Sequence, residues 1–189
     1  MNIQLKEMNF FNVVPMIDDF YNVLSTNRAR LEPWFWWASS KVTPNKFKYA
    51  LFMLLYLANT KRRKIAHKFD HKQIYDEQFI INVDGEFGGI IGMDNIDTVN
   101  KNAELWGWLS KGHKAFIVAD ESLKILEDYC IKEKNLESLY AKTQVSNRAV
   151  KIAAQRNGFS IKSIEYGIPI SKRNPKIADI ITWEKQLVR

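Results

Sequence analysis

The 189-residue sequence holds a single cysteine, Cys130, and only eight glycines, five prolines and three histidines. One thiol cannot close an internal disulfide, and no Cys/His cluster with zinc-ligand spacing is present, so no metal is expected. Cys130 reads as a small apolar residue on a helix. No Gly/Ser-rich hinge, low-complexity linker or internal repeat interrupts the chain, so residues 1–189 are expected to form one domain. The longest apolar run, Ala50–Ala58, falls far short of the roughly 20 residues that span a bilayer. The opening MNIQLKEMNFF lacks the basic segment and apolar run of a secretory signal. A cytoplasmic protein with no membrane partner is the expectation.

Hydrophobic residues make up 46% of the chain and aromatics 13%, enough for a core that needs no covalent staple. The net charge of +7 is concentrated in Lys61-Arg62-Arg63-Lys64, continued by His67, Lys68, His71 and Lys72, and in a tail with Lys172, Arg173 and Lys176. This balance favours an anionic partner: nucleic acid, acidic protein or a phosphorylated cofactor. The aromatics sit in apolar blocks rather than among the basic residues, which disfavours a stacking platform for nucleic acid. His67 and His71 have the i,i+4 spacing of a metal pair, but the stretch lacks a third ligand and reads as a basic loop.

Periodicity predicts a short strand at Ile3–Lys6 and a helix over Asn12–Asn27, with Val13, Met16, Ile17, Phe20, Val23 and Leu24 at helical spacing. A dense aromatic block follows, Leu31–Trp37, broken by Pro33. Thr43-Pro44 starts a second helix running through Phe47, Leu51, Leu54 and Leu55 towards Asn59. Gln78–Val83, a hairpin signal at Asp84-Gly85, and Phe87–Met93 read as paired strands. A turn-rich stretch, Asp94–Asn102, leads to a strand at Ala103–Leu109. Then come a helix lined by Val118, Ser122, Ile125, Leu126, Tyr129 and Cys130, a strand at Leu139–Val145, and a helix at Ala149–Asn157 that stops at Gly158. Phe159–Tyr166 and Ile177–Trp183 form a closing hairpin. This order predicts a mixed α/β fold with a largely antiparallel sheet and one parallel crossover.

Several blocks, in this order, resemble the ribosomal-protein alanine/serine N-acetyltransferase branch of the GNAT (Gcn5-related N-acetyltransferase) superfamily. Asn27-Arg28-Ala29-Arg30-Leu31-Glu32-Pro33-Trp34-Phe35-Trp36-Trp37 is similar to that branch's Asn-Arg … Leu-x-Pro-Trp-x-x-Trp stretch. Gly88-Gly89-Ile90-Ile91-Gly92-Met93 resembles its third strand, and Ala103-Glu104-Leu105-Trp106-Gly107-Trp108-Leu109-Ser110 its fourth. Asp120-Glu121-Ser122 through Asp128-Tyr129 resembles the helix after the pyrophosphate loop. Val145-Ser146-Asn147 and Arg156-Asn157-Gly158-Phe159 resemble the block that ends in Gly-Phe. The resemblance implies a central twisted sheet of six to seven strands, splayed between the fourth and fifth, with about four flanking helices.

The resemblance also implies acetyl-CoA as co-substrate and an amine acceptor, either a protein N-terminus or a small amine. The backbone of Trp108, Leu109 and Ser110 would pair with the pantetheine arm, and Asn147 would contact it. The pyrophosphate would lie on the loop Lys114-Ala115-Phe116-Ile117-Val118-Ala119 and the helix start at Asp120, where free amides and the helix dipole favour an anion. Ile117 replaces the usual glycine. A branched residue is strained at positive φ, so either the backbone holds negative φ there or cofactor binding is weakened. Val150 stands where the family often has serine.

Amine acetylation needs a proton acceptor and a donor for the leaving thiolate. Glu104 is the first choice as base, Asp94 the second, and Tyr140 and Ser146 are candidate acids. Trp34 and Trp37 would wall the acceptor site, with Asp94 beside it, and a basic rim of Arg62, Arg63 and Lys64 would suit an acidic protein substrate. The competing reading is a catalytically impaired GNAT-fold protein that binds acyl-CoA weakly or binds an acidic partner. Monomer and homodimer are both compatible with the sequence.

Overall fold

The computed structural model describes residues 1–70, 74–110, 115–171 and 174–187. Its β-rich runs collect into one seven-stranded sheet: β1 (Ile3–Glu7), β2 (Tyr75–Val83), β3 (Glu86–Asp97), β4 (Asn102–Leu109), β5 (Ser138–Gln144), β6 (Ser160–Ser171) and β7 (Asn174–Gln186). The spatial order is β1-β2-β3-β4-β5-β7-β6, and β4–β5 is the one parallel pair in it. The expected mixed α/β architecture is therefore present. The hairpin turn falls at Asp84-Gly85, whose φ values of 51° and 95° are those of a primed two-residue turn matching the strand twist.

The helices are α1 (Phe10–Val13), α2 (Ile17–Leu31), α3 (Lys46–Phe69), α4 (Ala115–Lys134) and α5 (Arg148–Arg156). Alternation along the strands sends side chains to two cores. Phe79, Ile81, Met93, Leu139 and Trp183 meet α4 residues such as Leu126 and Cys130 on one face. On the other, Ile80, Ile90 and Trp108 meet Phe20 and Leu24 of α2 and Tyr49, Met53 and Leu57 of α3. Cys130 is buried, with its Sγ 3.2 Å from the Met93 sulfur, and burial pushes its thiol up to about 12. No described helix is long and apolar enough to cross a membrane.

Several sequence-based boundaries change. The predicted first helix is divided at Pro15, which opens a 3₁₀ turn, Val14–Met16, ahead of α2. Helix α3 begins after an Asn45 cap, whose side chain accepts the Lys48 amide at 2.9 Å, and continues ten residues past Asn59 to Phe69. The run Lys61–Lys64 is thus helical rather than a loop. The face also differs: Tyr49, Met53 and Leu57 are buried, whereas Phe47, Leu51, Leu54 and Leu55 point outward. Helical spacing exists on both sides of α3, so period alone does not choose between them. On α4, Leu123 rather than Ile125 joins the buried face. His71, Lys72, Lys172 and Arg173 lie outside the described residues.

Strand β2 is buried along its whole length, charged residues included. Glu77 makes this tolerable by accepting Lys64 of α3 at 2.6 Å, Lys134 of α4 at 2.8 Å and the Tyr129 hydroxyl at 2.8 Å. Burial alone would raise the Glu77 carboxyl, but the two ammonium groups outweigh it and hold the carboxyl below its ordinary 4.5. Glu77→Gln is expected to lower the unfolding free energy at pH 7 by about 3 kcal/mol, because two lysines lose a buried counter-charge. A depressed carboxyl stabilises the fold above its unfolded value, so the deficit narrows as pH falls below 4.5. Urea unfolding at pH 7 and pH 3.5 checks both statements.

Candidate active site at the β4–β5 opening

Strands β4 and β5 pair only at Asn102↔Ser138, Ala103↔Leu139 and Glu104↔Tyr140. Beyond that rung β4 stays with β3 as far as Leu109, and β5 stays with β7 as far as Gln144, so a wedge opens between them. Backbone direction along β4 follows from the register. Ile90 pairs with Trp108, and the Ser110 amide donates to the Gly88 carbonyl at 2.8 Å. The backbones of Trp106, Trp108 and Ser110 therefore belong to the β3 ladder, while those of Leu105, Gly107 and Leu109 turn towards the wedge. Of the expected trio, Leu109 alone faces the opening, and its carbonyl accepts the Arg30 guanidinium.

The last rung carries the acid–base candidates. Glu104 lies opposite Asp94 on β3 and Tyr140 on β5. Its Oε2 accepts the Asn95 Nδ2 at 3.1 Å. Asn95 adopts φ 53° at an irregularity in β3, and its backbone amide donates to Asp76 at 2.9 Å. The Tyr140 phenol is raised by burial and then by the negative charge of Glu104, with an Asn95 hydrogen bond opposing, so it keeps its proton at neutral pH. Ser146 sits exposed in the turn after β5.

Asp94 is half-buried beneath α3. Its Oδ1 accepts Trp106 Nε1 at 2.8 Å and Gln78 Nε2 at 3.2 Å. Burial first, and the neighbouring Asp76 charge second, push its carboxyl up to about 6; the two hydrogen bonds oppose the rise and Glu104 adds to it. Asp76 is itself buried and paired with Arg63 of α3. Asp76, Gln78, Asn95 and Trp106 were not among the residues singled out from the sequence. Their grouping depends on the β3 irregularity and on α3 extending to Arg63, neither of which leaves a mark in periodicity.

The aromatic block forms a wall leading to this cluster. Trp37 lies between Phe52 and Trp108, with ring centroids 6.2 and 6.3 Å away, and Phe35 is 6.3 Å from Trp106. Arg28 ties the block down through the carbonyls of Ala38 and Thr43. Trp34 is half-buried at the end of α2, where its amide donates to the Leu31 carbonyl at 3.0 Å.

The cofactor loop differs from its expected form. Helix α4 already begins at Ala115, so Ala115, Phe116, Ile117, Val118 and Ala119 are helical, and Ile117 is not among the residues at positive φ. A branched residue in right-handed helix carries no such strain. No acidic side chain lies in the first turn of α4, so none there repels an anion at the positive end of the helix dipole. Asp120 is engaged by Arg156 at 2.6 Å and Asn157 at 2.7 Å. The Asn147 Oδ1 caps α5 by accepting the Val150 amide at 3.3 Å. His113 and Lys114 lie outside the described residues. Among the described residues no group of three or more His, Cys, Asp or Glu is arranged to hold a metal.

Residues 20–160 match the family described as acetyltransferase (GNAT) domain. The chain belongs to this family. A ribosomal-protein-serine acetyltransferase of Escherichia coli is 28% identical over 92 residues, which cover 49% of this chain and 51% of that protein. The match thus spans about half the length of the curated relative. Among solved structures, a ribosomal alpha-N-protein acetyltransferase, RimL, in complex with coenzyme A shares the fold with a TM-score of 0.76 and 16% identity, covering 99% of this chain and 95% of that one. A microcin self-immunity acetyltransferase in complex with acetyl-CoA and AMP aligns with a TM-score of 0.72 and 15% identity, over 97% and 92% of the two chains. The expected GNAT fold and acyltransferase family are thereby met.

The raised Asp94 carboxyl gives a stability test. The folded chain holds this proton more tightly than the unfolded one, so the stabilisation is complete below pH 3.8 and is lost as pH rises through about 6. Asp94→Asn, which cannot ionise, is expected to be more stable than wild type at pH 8 by up to about 3 kcal/mol and nearly equal to it at pH 4. Urea unfolding at the two pH values checks the crossover.

Proposed function

We propose that this GNAT-family chain transfers an acetyl group from acetyl-CoA to a primary amine, with a protein N-terminal amine as the favoured acceptor. The observation that carries the reading is the last β4–β5 rung, where a carboxylate and a proton-retaining phenol, Glu104 and Tyr140, flank the point at which the strands part. The chain's features fit the co-substrate. The Gly107 and Leu109 backbones face the wedge, and no acidic side chain lies in the first turn of α4. Acetyl-CoA supplies the activated thioester carbonyl when bound. Gly107 and Leu109 orient the pantetheine arm against β4, and the first turn of α4 holds the pyrophosphate.

Glu104, held by its hydrogen bond from Asn95, takes a proton from the bound ammonium, and the neutral amine so formed attacks the thioester carbonyl. Asp94, ionised at neutral pH, adds negative charge that draws the cationic amine to the rung. Tyr140 returns a proton to the departing sulfur, a role that Val150, half-exposed in the first turn of α5, lacks the chemistry to fill. The Trp37–Trp108 wall excludes water on the acceptor side. A peptide acceptor is favoured by the activities of the ribosomal-protein acetyltransferases that the chain resembles. The impaired reading rested on Ile117 and Val150: a helical Ile117 carries no backbone strain, and Tyr140 offers the proton that Val150 lacks.

Acetyl-CoA at about 100 times its dissociation constant is expected to stabilise the protein by roughly 2.7 kcal/mol in a thermal shift. Free-thiol release should appear with peptides bearing an open N-terminus and vanish when that amine is blocked. Glu104→Gln should lower kcat by about a hundredfold while leaving the acetyl-CoA shift intact. Absence of any shift at millimolar acetyl-CoA overturns the activity, and an unchanged kcat removes Glu104 as the base.

A further inference from the structure

Helix α3 is apolar on two opposite faces. Tyr49, Met53 and Leu57 attach it to the sheet. On the outward side run Leu51, Leu55, Ala58, Arg62, Ile65 and Phe69, at successive steps of four, three, four, three and four residues. Such alternation is the seam of a coiled coil. The seam is open to solvent: Leu55 is 63% exposed, Ile65 45% and Phe69 87%. Leu54 and Phe47 widen it towards the amino end.

Its charge pattern says what would cover it. Helix α3 contains no aspartate or glutamate. Its Lys46, Arg63 and Lys64 are paired within the molecule, with Asp18, Asp76 and Glu7 or Glu77. Lys61 and Lys68 are exposed and immediately precede seam positions, where residues of a coiled coil flank the contact and pair across it. Arg62 occupies the seam itself. A second copy of the chain would bring basic residues against a helix with no carboxylate in either orientation. A bilayer would receive Arg62 in the middle of its apolar contact, where the guanidinium must lift away from the seam to reach a headgroup phosphate and so opens the contact between Ala58 and Ile65. A helix bearing glutamates satisfies both features.

We propose that the outward face of α3 docks a single acidic helix of a partner protein. Leucines at heptad spacing pack on Leu51, Leu55, Ile65 and Phe69, and glutamates pair with Lys61, Arg62 and Lys68. The surface lies opposite the face of α3 that covers the carboxylate cluster, so it neither requires nor contributes to the acetyl-transfer reading.

The probe is a fluorescent 21-residue peptide with leucine at the two seam positions, glutamate at the flanking positions and alanine elsewhere, titrated with the full chain. Saturable binding is expected, weakening by about tenfold between 50 and 300 mM NaCl because the flanking pairs are screened. Leu55→Ser with Phe69→Ser, and separately Arg62→Glu, should each weaken it by at least about tenfold with unchanged far-ultraviolet circular dichroism. If the apolar double variant misfolds, Arg62→Glu alone carries the test. No saturable binding at millimolar chain, equal binding of a peptide with lysine in place of glutamate, self-association lost on Leu55→Ser in sedimentation, or tighter binding to phosphatidylglycerol vesicles than to the peptide would each overturn the proposal.

Discussion

Parallel pairing between β4 and β5 stops after three rungs, and everything at the candidate site depends on that stop. Each strand keeps its other neighbour beyond Glu104 and Tyr140, so the separation is held open by two intact ladders rather than by loose chain. A closed sheet would satisfy the Gly107 backbone and the Leu109 amide internally. The open one leaves polar groups at a fixed spacing along a rigid edge, which is what an extended amide-bearing arm needs. Gly89 supports this arrangement from β3: at φ 145° it lies so close to β4 that a Cβ there would fall 2.2 Å from the Trp108 carbonyl. The strand that bounds the wedge is thus packed against its neighbour without room for adjustment.

Charge at the site is arranged in depth. Asp76 is neutralised by Arg63, Asp94 is half-buried and raised, and Glu104 stands at the opening. The sequence is basic overall, yet the described face beneath α3 gathers three carboxylates. Local field and net charge therefore have opposite signs: the exterior favours anionic partners, and the interior favours a cation. An amine carried by an acidic polypeptide satisfies both.

Much of this was legible in the sequence. Binary patterning found the strands, most of the buried side of α4 and the two tracts that part at the wedge, and residue type found the Asp84-Gly85 turn. Glu104, chosen for its place on the strand that resembles the family's fourth, comes together with Tyr140 and Asp94 on one rung. What was not legible follows from effects outside a single period. Helix α3 has two apolar faces, and only contact with Ile80 and Ile90 decides which is internal. The start of α4 was placed several residues late because a glycine-based pattern was carried onto a chain that has Ile117, a residue compatible with simple helix. Asn95 reaches Glu104 only because β3 is irregular there, and no residue type announces that irregularity.

The two arginines of α2 join parts of the molecule that sequence distance separates. Arg28 grips the carbonyls of the aromatic loop, and Arg30 grips the Leu109 carbonyl at the tip of β4. The hydrophobic wall and the strand tip are therefore two jaws bolted to the same helix. Exchanging residues 32–41 to alter acceptor choice would leave the wedge aligned only if both guanidinium bolts remain. Losing Arg30 would let the tip drift while the wall stayed seated, a misalignment visible as poorer coupling between the two substrates rather than as a weaker fold.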